Sequence, residues 1–242
     1  MCLSSIFKKN GVNIIHDGLS ERQKEIYLIL NKAASVDKNL QLFGAGKHKY
    51  SLNKPIDISY VRKAEQAYNF TLPEDYFKFI IEIGDGGAGP DYGIYPFTSF
   101  YEKGNGEYAK EYFEQRRQCL AVSFNVRPMV TEDVNRYAIC REDSYEEEPG
   151  KYFVCDENDD NSDRKTDSSE NGFFILGTHG CQWDFGIVVT GNRKGQVFRC
   201  DNEGGFYLLA NSFIEFYDKW LDKISNMKKW KKPLGKTGIF QI

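Results

Sequence analysis

The residues of this chain best placed to do chemistry crowd into one short segment, THGCQWD, which holds His179, Cys181 and Asp184. A cysteine nucleophile needs a base within hydrogen-bond reach and a third group to orient that base. Side chains two apart in an extended segment share a side, so His179 and Cys181 could face together. The alternative is a glycine turn at Gly180 carrying a small buried cysteine and a surface histidine, because a free Cys behaves mostly as a small hydrophobe. The second reading is the better supported, and no catalytic residue is assigned.

Other chemistries need spacings that the chain lacks. His16, His48 and His179 lie far apart, with no H-x-x-x-H and no mixed Cys/His ligand spacing. The acidic DENDD run lacks the glycine and terminal glutamate of a calcium loop. Neither H-x-E nor P-C-x-x-C of the zinc deaminases occurs. Gly84, Gly86 and Gly89 spell G-x-G-x-x-G, but a dinucleotide turn needs a strand before it and a helix after it. Here a helical pattern precedes, and Pro90 with a strand-like YGIYPF follows. The GAGK at Gly44–Lys47 ends like a phosphate loop, yet Gln41 stands where the first glycine is required. Neither a cofactor nor a metal is expected.

The elements that position these residues are organised around Thr71–Phe97, TLPEDYFKFIIEIGDGGAGPDYGIYPF. Thr71 and Glu74 have the spacing of a capping box, with Pro73 tolerated in the first turn. Tyr76, Phe77, Ile80 and Ile83 form an apolar helical face, and Gly84 is expected as a left-handed C-cap. Gly86, Gly87, Gly89 and Pro90 forbid continuation. Upstream, Ser20 and Gln23 predict a second capping box, opening a helix that buries Ile26, Ile29, Leu30 and Ala33. Asp57 or Ser59 caps a third helix with Val61, Ala64 and Tyr68 inward and Glu65 on it.

Downstream, EYAKEYFEQRRQ reads as a polar helix whose apolar side is Tyr108, Tyr112, Phe113 and Cys119. NRYAICRE and GKYFVCDE alternate as strands and are expected to form a hairpin. FFIL, FGIVVT and QVFRC are strand-like, the last two joined through GNRKG. NSFIEFYDKWLDKI offers Phe213, Phe216, Tyr217, Trp220, Leu221 and Ile224 as one buried stripe. Helices early, strands later and a closing helix make an α+β fold rather than a βαβ alternation.

Composition bounds the rest. The chain has 242 residues, 40% hydrophobic and 28% charged, which is ordinary for a soluble globular protein. An aromatic share of 15% favours β-structure or a recognition surface. A formal net charge of −3 argues against a generic nucleic-acid binder, and no run of apolar residues reaches membrane-span length. Without a signal-peptide pattern, the six cysteines are expected as free, buried thiols in a reducing cytoplasm. Residues 141–170 hold 12 acidic and 4 basic side chains, a local −8 that leaves +5 on the remainder. Such a run is usually a solvated surface, but it can also steer a basic partner. Glu146, Glu147, Glu148, Asp159 and Asp160 are the candidate partner-binding residues.

Taken in order, LPEDY, GGAGPDYG, ILGTHGCQWDFGIVVTGNRKGQVFRCD and the aromatic closing helix resemble the SUKH superfamily. That superfamily includes the yeast glucan-synthesis-regulator-like (Smi/Knr-type) proteins and bacterial immunity proteins. The resemblance implies a curved, mostly antiparallel sheet flanked by N-terminal helices and a C-terminal helix. It implies scaffold roles for Leu72, Pro73, Tyr76, Gly86, Gly87, Gly89, Pro90, Tyr92 and Gly93. The same holds for Gly180, Cys181, Gly191, Gly195 and Trp220. The domain is expected over residues 56–228, with an insertion at 98–172, a helical extension at 1–55 and a basic tail at 229–242. The function implied is a non-enzymatic one: binding and neutralising a cognate toxin domain, with neither nucleic acid nor membrane as partner. An intracellular regulator or adaptor is the alternative, and a Cys/His enzyme ranks below both.

Overall fold

The computed structural model describes residues 8–9, 12–13, 19–101, 107–130, 148–155, 171–181, 183–201 and 204–227. A two-residue ladder, β1 (Lys8–Lys9) with β2 (Val12–Asn13), precedes α1 (Glu21–Val36). The short α2 (Ala45–His48) and α3 (Ile58–Tyr68) follow. Then α4 (Glu74–Lys78) runs into a π-helical turn, Phe79–Ile83. A 3-10 turn at Phe97–Tyr101 leads on to α5 (Glu107–Cys119). The strands are β3 (Val126–Pro128), β4 (Tyr152–Cys155), β5 (Phe173–Gly180), β6 (Trp183–Val188), β7 (Val197–Cys200) and β8 (Gly205–Ala210). The closing helix is α6 (Phe213–Ser225). The six longer-range strands form one open antiparallel sheet in the order β3-β4-β8-β7-β6-β5, bent by register shifts in β5/β6 and β7/β8. The fold is α+β, with helices flanking a curved sheet, as expected.

Strand alternation divides the apolar residues between two faces. Phe185, Ile187, Val197 and Ala210 join α1, α3, α4 and α6 in the larger core. Their neighbours Val188 and Phe198, with Phe153, Phe173 and Phe206, close on Phe124 from the other side. The closing helix buries all six stripe residues named from its periodicity, and Ser212 Oγ caps it by accepting from Glu215 N at 3.1 Å. The Ser20–Gln23 capping box is present in both directions, and Ile26, Leu30 and Ala33 are buried, with Tyr27 in addition. Asp57 caps α3, and Val61 and Ala64 point inward.

Four local expectations are corrected. Thr71 does not cap α4. Glu65 Oε1, on a residue only 6% exposed, accepts from Leu72 N at 2.8 Å. That bond holds the chain extended, and the helix starts at Glu74 with Pro73 as N-cap. Thr71 Oγ1 instead accepts from Lys194, and Glu74 pairs with Lys78 at 2.6 Å. Gly84 is not left-handed, because the π-turn inserts an extra residue. Gly84 N bonds Phe79 O, and its φ of 179° is extended backbone. Positive φ arrives two residues later, at Gly86 and Gly87.

The NRYAICRE–GKYFVCDE hairpin is also not formed at β4, whose two sides are taken by β3 and β8. NRYAICRE itself lies outside the described residues. Neither β3 nor β8 was expected, the first being short and the second, GFYLLA, lacking polar alternation. Finally, Phe113 on α5 is 40% exposed rather than inward, and Cys119 alone of that face is shown buried. The side chains of Tyr108 and Tyr112 lie outside those described.

Candidate functional site

The glycine turn after the π-helix ties together every layer near the site. Gly87 exchanges both backbone hydrogen bonds with Ile94, at 2.8 and 2.9 Å. Asn53 N bonds Gly86 O, and Ala88 N bonds Ser51 O. Tyr95 N then reaches Leu176 O on the edge of β5 at 2.6 Å, while Tyr217 of α6 donates to Ala88 O at 2.9 Å. A Cβ on Gly86 would lie 2.6 Å from Ile94 O, and one on Gly87 2.5 Å from Ser51 O. Gly89 is confined differently, since its Cβ would meet the Ile94 side chain at 2.7 Å. Asp85 is buried and accepts from the backbone N–H groups of Phe97 and Thr98, fixing the 3-10 turn. The G-x-G-x-x-G run therefore follows a helix and leads into an isolated bridge at Ile94, the reverse of a dinucleotide turn.

His179, Cys181 and Asp184 are placed in three different surroundings. His179 Nδ1 lies 3.1 Å from Asp91 Oδ1, without the alignment of a hydrogen bond, and its ring rests between Phe43 and Trp183. Cys181 occupies the β5–β6 turn with φ 52°. It is exposed rather than buried, because that left-handed corner turns its side chain out of the sheet. Of the other described cysteines, Cys119 and Cys200 are buried and Cys155 half-buried, and each is a thiol outside any disulfide. Asp184 lines a cleft at the sheet edge. No nucleophile–base pair is assembled among these three, and no group of three or more His, Cys, Asp or Glu among the described residues could hold a metal ion.

What the fold does assemble is a row of rings across the helix-bearing face. Register sets Phe185 opposite Arg199, Arg199 opposite Tyr207, and Tyr207 opposite Tyr152, so their side chains leave the same face. Phe185 is covered by Phe216 of α6. Further along, the Arg199 guanidinium lies 4.9 Å from the Trp183 ring and 5.4 Å from Tyr207. Tyr207 packs on Tyr152 at 5.0 Å, and Trp183 on His179 at 6.0 Å. Phe43, 41% exposed, ends the row 5.0 Å from His179.

At the opposite end, the Tyr207 hydroxyl donates to Glu148, which also pairs with Lys151 at 2.8 Å. Those contacts, from Lys151 and Tyr207 in that order, hold the Glu148 carboxyl below its usual pKa. Glu148 is the one acidic candidate among the described residues; Glu146, Glu147, Asp159 and Asp160 lie outside them. Trp183, Arg199 and Tyr207 were not singled out from the sequence. The available signal was an arginine flanked by apolar residues in VFRC, which alternation puts on a different face from Phe198 and Cys200.

A cleft of about 660 Å³ opens at the β5 edge, between the Tyr95–Phe100 segment and α5. Its rings are Tyr95, Phe100, Phe113, Phe173 and Phe174. Phe97, Phe100 and Phe174 stack nearly parallel, with centroids 5.3 to 6.0 Å apart. Arg117 lies over Phe100, donates to its carbonyl at 2.6 Å and pairs with Glu114 at 3.2 Å. Burial, and then the nearby Asp184 charge, push the Tyr95 phenol above its usual pKa.

No helix among the described residues is long and apolar enough to cross a membrane. Searches of curated proteins and of solved structures return no match. Apart from Phe43, Ser51 and Asn53, the residues of the glycine hub, the β5–β6 turn, the ring row and the cleft fall within residues 55–219, which match the family model of the SMI1 / KNR4 family (SUKH-1), and the chain belongs to that family.

Proposed function

We propose that this is a cytoplasmic, non-enzymatic immunity protein that neutralises a cognate bacterial toxin domain by direct binding. One observation carries the reading. The partly exposed row Phe43–His179–Trp183–Arg199–Tyr207 has the Trp, Tyr and Arg content of protein-interface hot spots, and it ends on Glu148 of the acidic stretch. The acidic stretch then raises the encounter rate with a basic toxin face, while the rings supply the short-range contact.

The test is co-expression with a toxin domain encoded beside this protein, followed by purification of the pair. Wild type restores growth and forms a stoichiometric complex. Trp183→Ala and Tyr207→Ala weaken that complex by about tenfold or more, the loss typical of truncating an aromatic anchor. Turnover of a small substrate, with no protection against any neighbouring toxin, overturns the reading.

A further inference from the structure

The cleft at the β5 edge presents main chain as well as rings. Just before β5, Gly172 O accepts from Val189 N at 2.8 Å, which turns that carbonyl towards β6. Register pairs Phe174 with Ile187 and directs the Phe174 backbone groups the same way. The N–H and C=O of Phe173 and the N–H of Ile175 therefore leave from the outer edge of the sheet. Neither residue makes a hydrogen bond outside the sheet among the described residues, and both line the cleft.

On either side of this window the chain closes the edge itself. Cys119 O, at the end of α5, accepts from Gly172 N at 2.9 Å. At the other side Tyr92 N reaches Thr178 O at 3.5 Å and Tyr95 N reaches Leu176 O at 2.6 Å, an antiparallel pairing with β5. Pro96 has no N–H to continue it, and the chain leaves the edge in the 3-10 turn at Phe97–Tyr101. The cleft of about 660 Å³ lies where that pairing stops. Backbone donors and acceptors left open at strand spacing are complementary to another extended backbone. The walls select its side chains. Phe100 and Phe174 stack on one face of the edge, and Phe113 of α5 is 40% exposed, so alternate residues of an added strand meet rings. Arg116 shares a helix face with Phe113, and Arg117 lies over Phe100, whereas alternation sends Asp184 from the sheet face opposite Phe174. Two arginines against one aspartate make the charged lining net positive, and outside residues 141–170 the chain carries +5.

We propose that this cleft captures an extended segment of a partner protein by strand addition to β5, with apolar side chains and one carboxylate directed at the rings and arginines of α5. The partner backbone bonds Phe173 and Ile175, the rings take its apolar residues, and charge complementarity selects the acid. This goes beyond the toxin reading and does not rest on it, since the cleft is separate from the ring row.

The test uses the isotope-labelled full chain and the peptide acetyl-Val-Thr-Phe-Thr-Glu-Thr-amide, whose Val, Phe and Glu share one face when extended. Saturable amide shifts and slowed hydrogen exchange are expected at Phe173 and Ile175. Lysine in place of the peptide's glutamate weakens binding about tenfold, as loss of a charge-assisted contact does. Phe113→Ala weakens it by roughly three- to tenfold through the lost ring contact. Two versions of the peptide, N-methylated at alternate residues, separate backbone pairing from side-chain capture. The version whose edge-facing amides are blocked loses about tenfold or more in affinity, and the other binds like the parent. No saturation by the peptide, equal affinities of the two N-methylated versions, a preference for lysine, or an unchanged affinity in Phe113→Ala overturns the proposal. Each of those results leaves the toxin reading standing, because its test reads Trp183 and Tyr207, which lie outside this cleft.

Discussion

At Gly87 the physical requirement is double: φ is +100°, and a methyl group would press on the Ser51 carbonyl. Gly87→Ala should therefore cost more than the ~1 kcal/mol of an ordinary glycine change, read from urea unfolding. Tyr76 makes the opposite prediction. Its ring is fully buried, but its hydroxyl has no hydrogen-bond partner among the described residues. Tyr76→Phe should leave stability unchanged or raise it by up to about 1 kcal/mol, and a clear loss would reveal a bridging partner at that hydroxyl. His48 sets a pH dependence. It is buried, its Nδ1 accepts from Tyr50 N at 3.0 Å, and its Nε2 finds no partner, while its ring meets Trp220 edge-on.

Burial lowers the His48 pKa from 6.5 to about 4. The unfolded chain then binds this proton more tightly, so the contribution is fully present above pH 6.5 and is lost as pH falls towards 4. The loss is on the order of 3 kcal/mol. It should appear as the difference between wild type and His48→Gln when both are unfolded at pH 7 and at pH 4.5. Equal pH slopes for the two proteins would remove His48 as the cause.

At the scale of elements, caps separate what is local from what is not. Ser20 and Ser212 close their helices through bonds that span three residues, so residue types and spacing suffice to read them. Ser212→Ala should cost about 1 kcal/mol, measured by thermal unfolding. The Thr71 cap failed because Glu65 reaches across from α3 and holds Leu72, a contact that spacing within one helix does not encode. Asp85 is similar: nothing local marks it as the cap of a 3-10 turn twelve residues on. Asp85→Ala leaves the buried Phe97 N–H unsatisfied and takes the acceptor from the partly buried Thr98 N–H, and should cost about 1 to 3 kcal/mol.

For the whole molecule, the charge asymmetry makes a kinetic prediction. Neutralising Glu146, Glu147, Glu148, Asp159 and Asp160 to amides should slow association with a basic toxin domain and flatten its salt dependence, with little change in unfolding free energy. Stopped-flow association at low and high salt measures both. A variant that binds at the wild-type rate in low salt removes the steering while leaving the scaffold assignment intact.

The sequence by itself determined the class of fold, the stripes of α1, α3 and α6, and the family blocks. These rest on periodicity and turn chemistry, which act over a few residues. It also placed the glycine turn, though not its geometry, since a π-turn moved the left-handed residues past Gly84. Only the tertiary structure decided which strands pair. Only pairing register put Trp183, Arg199, Tyr207 and Tyr152 side by side from four separate strands. The same cause parted the residues that looked catalytic: a left-handed corner sent Cys181 to solvent, Asp91 took His179, and Asp184 was left facing the cleft. Neighbours in sequence shared a loop, and the fold gave them different surroundings.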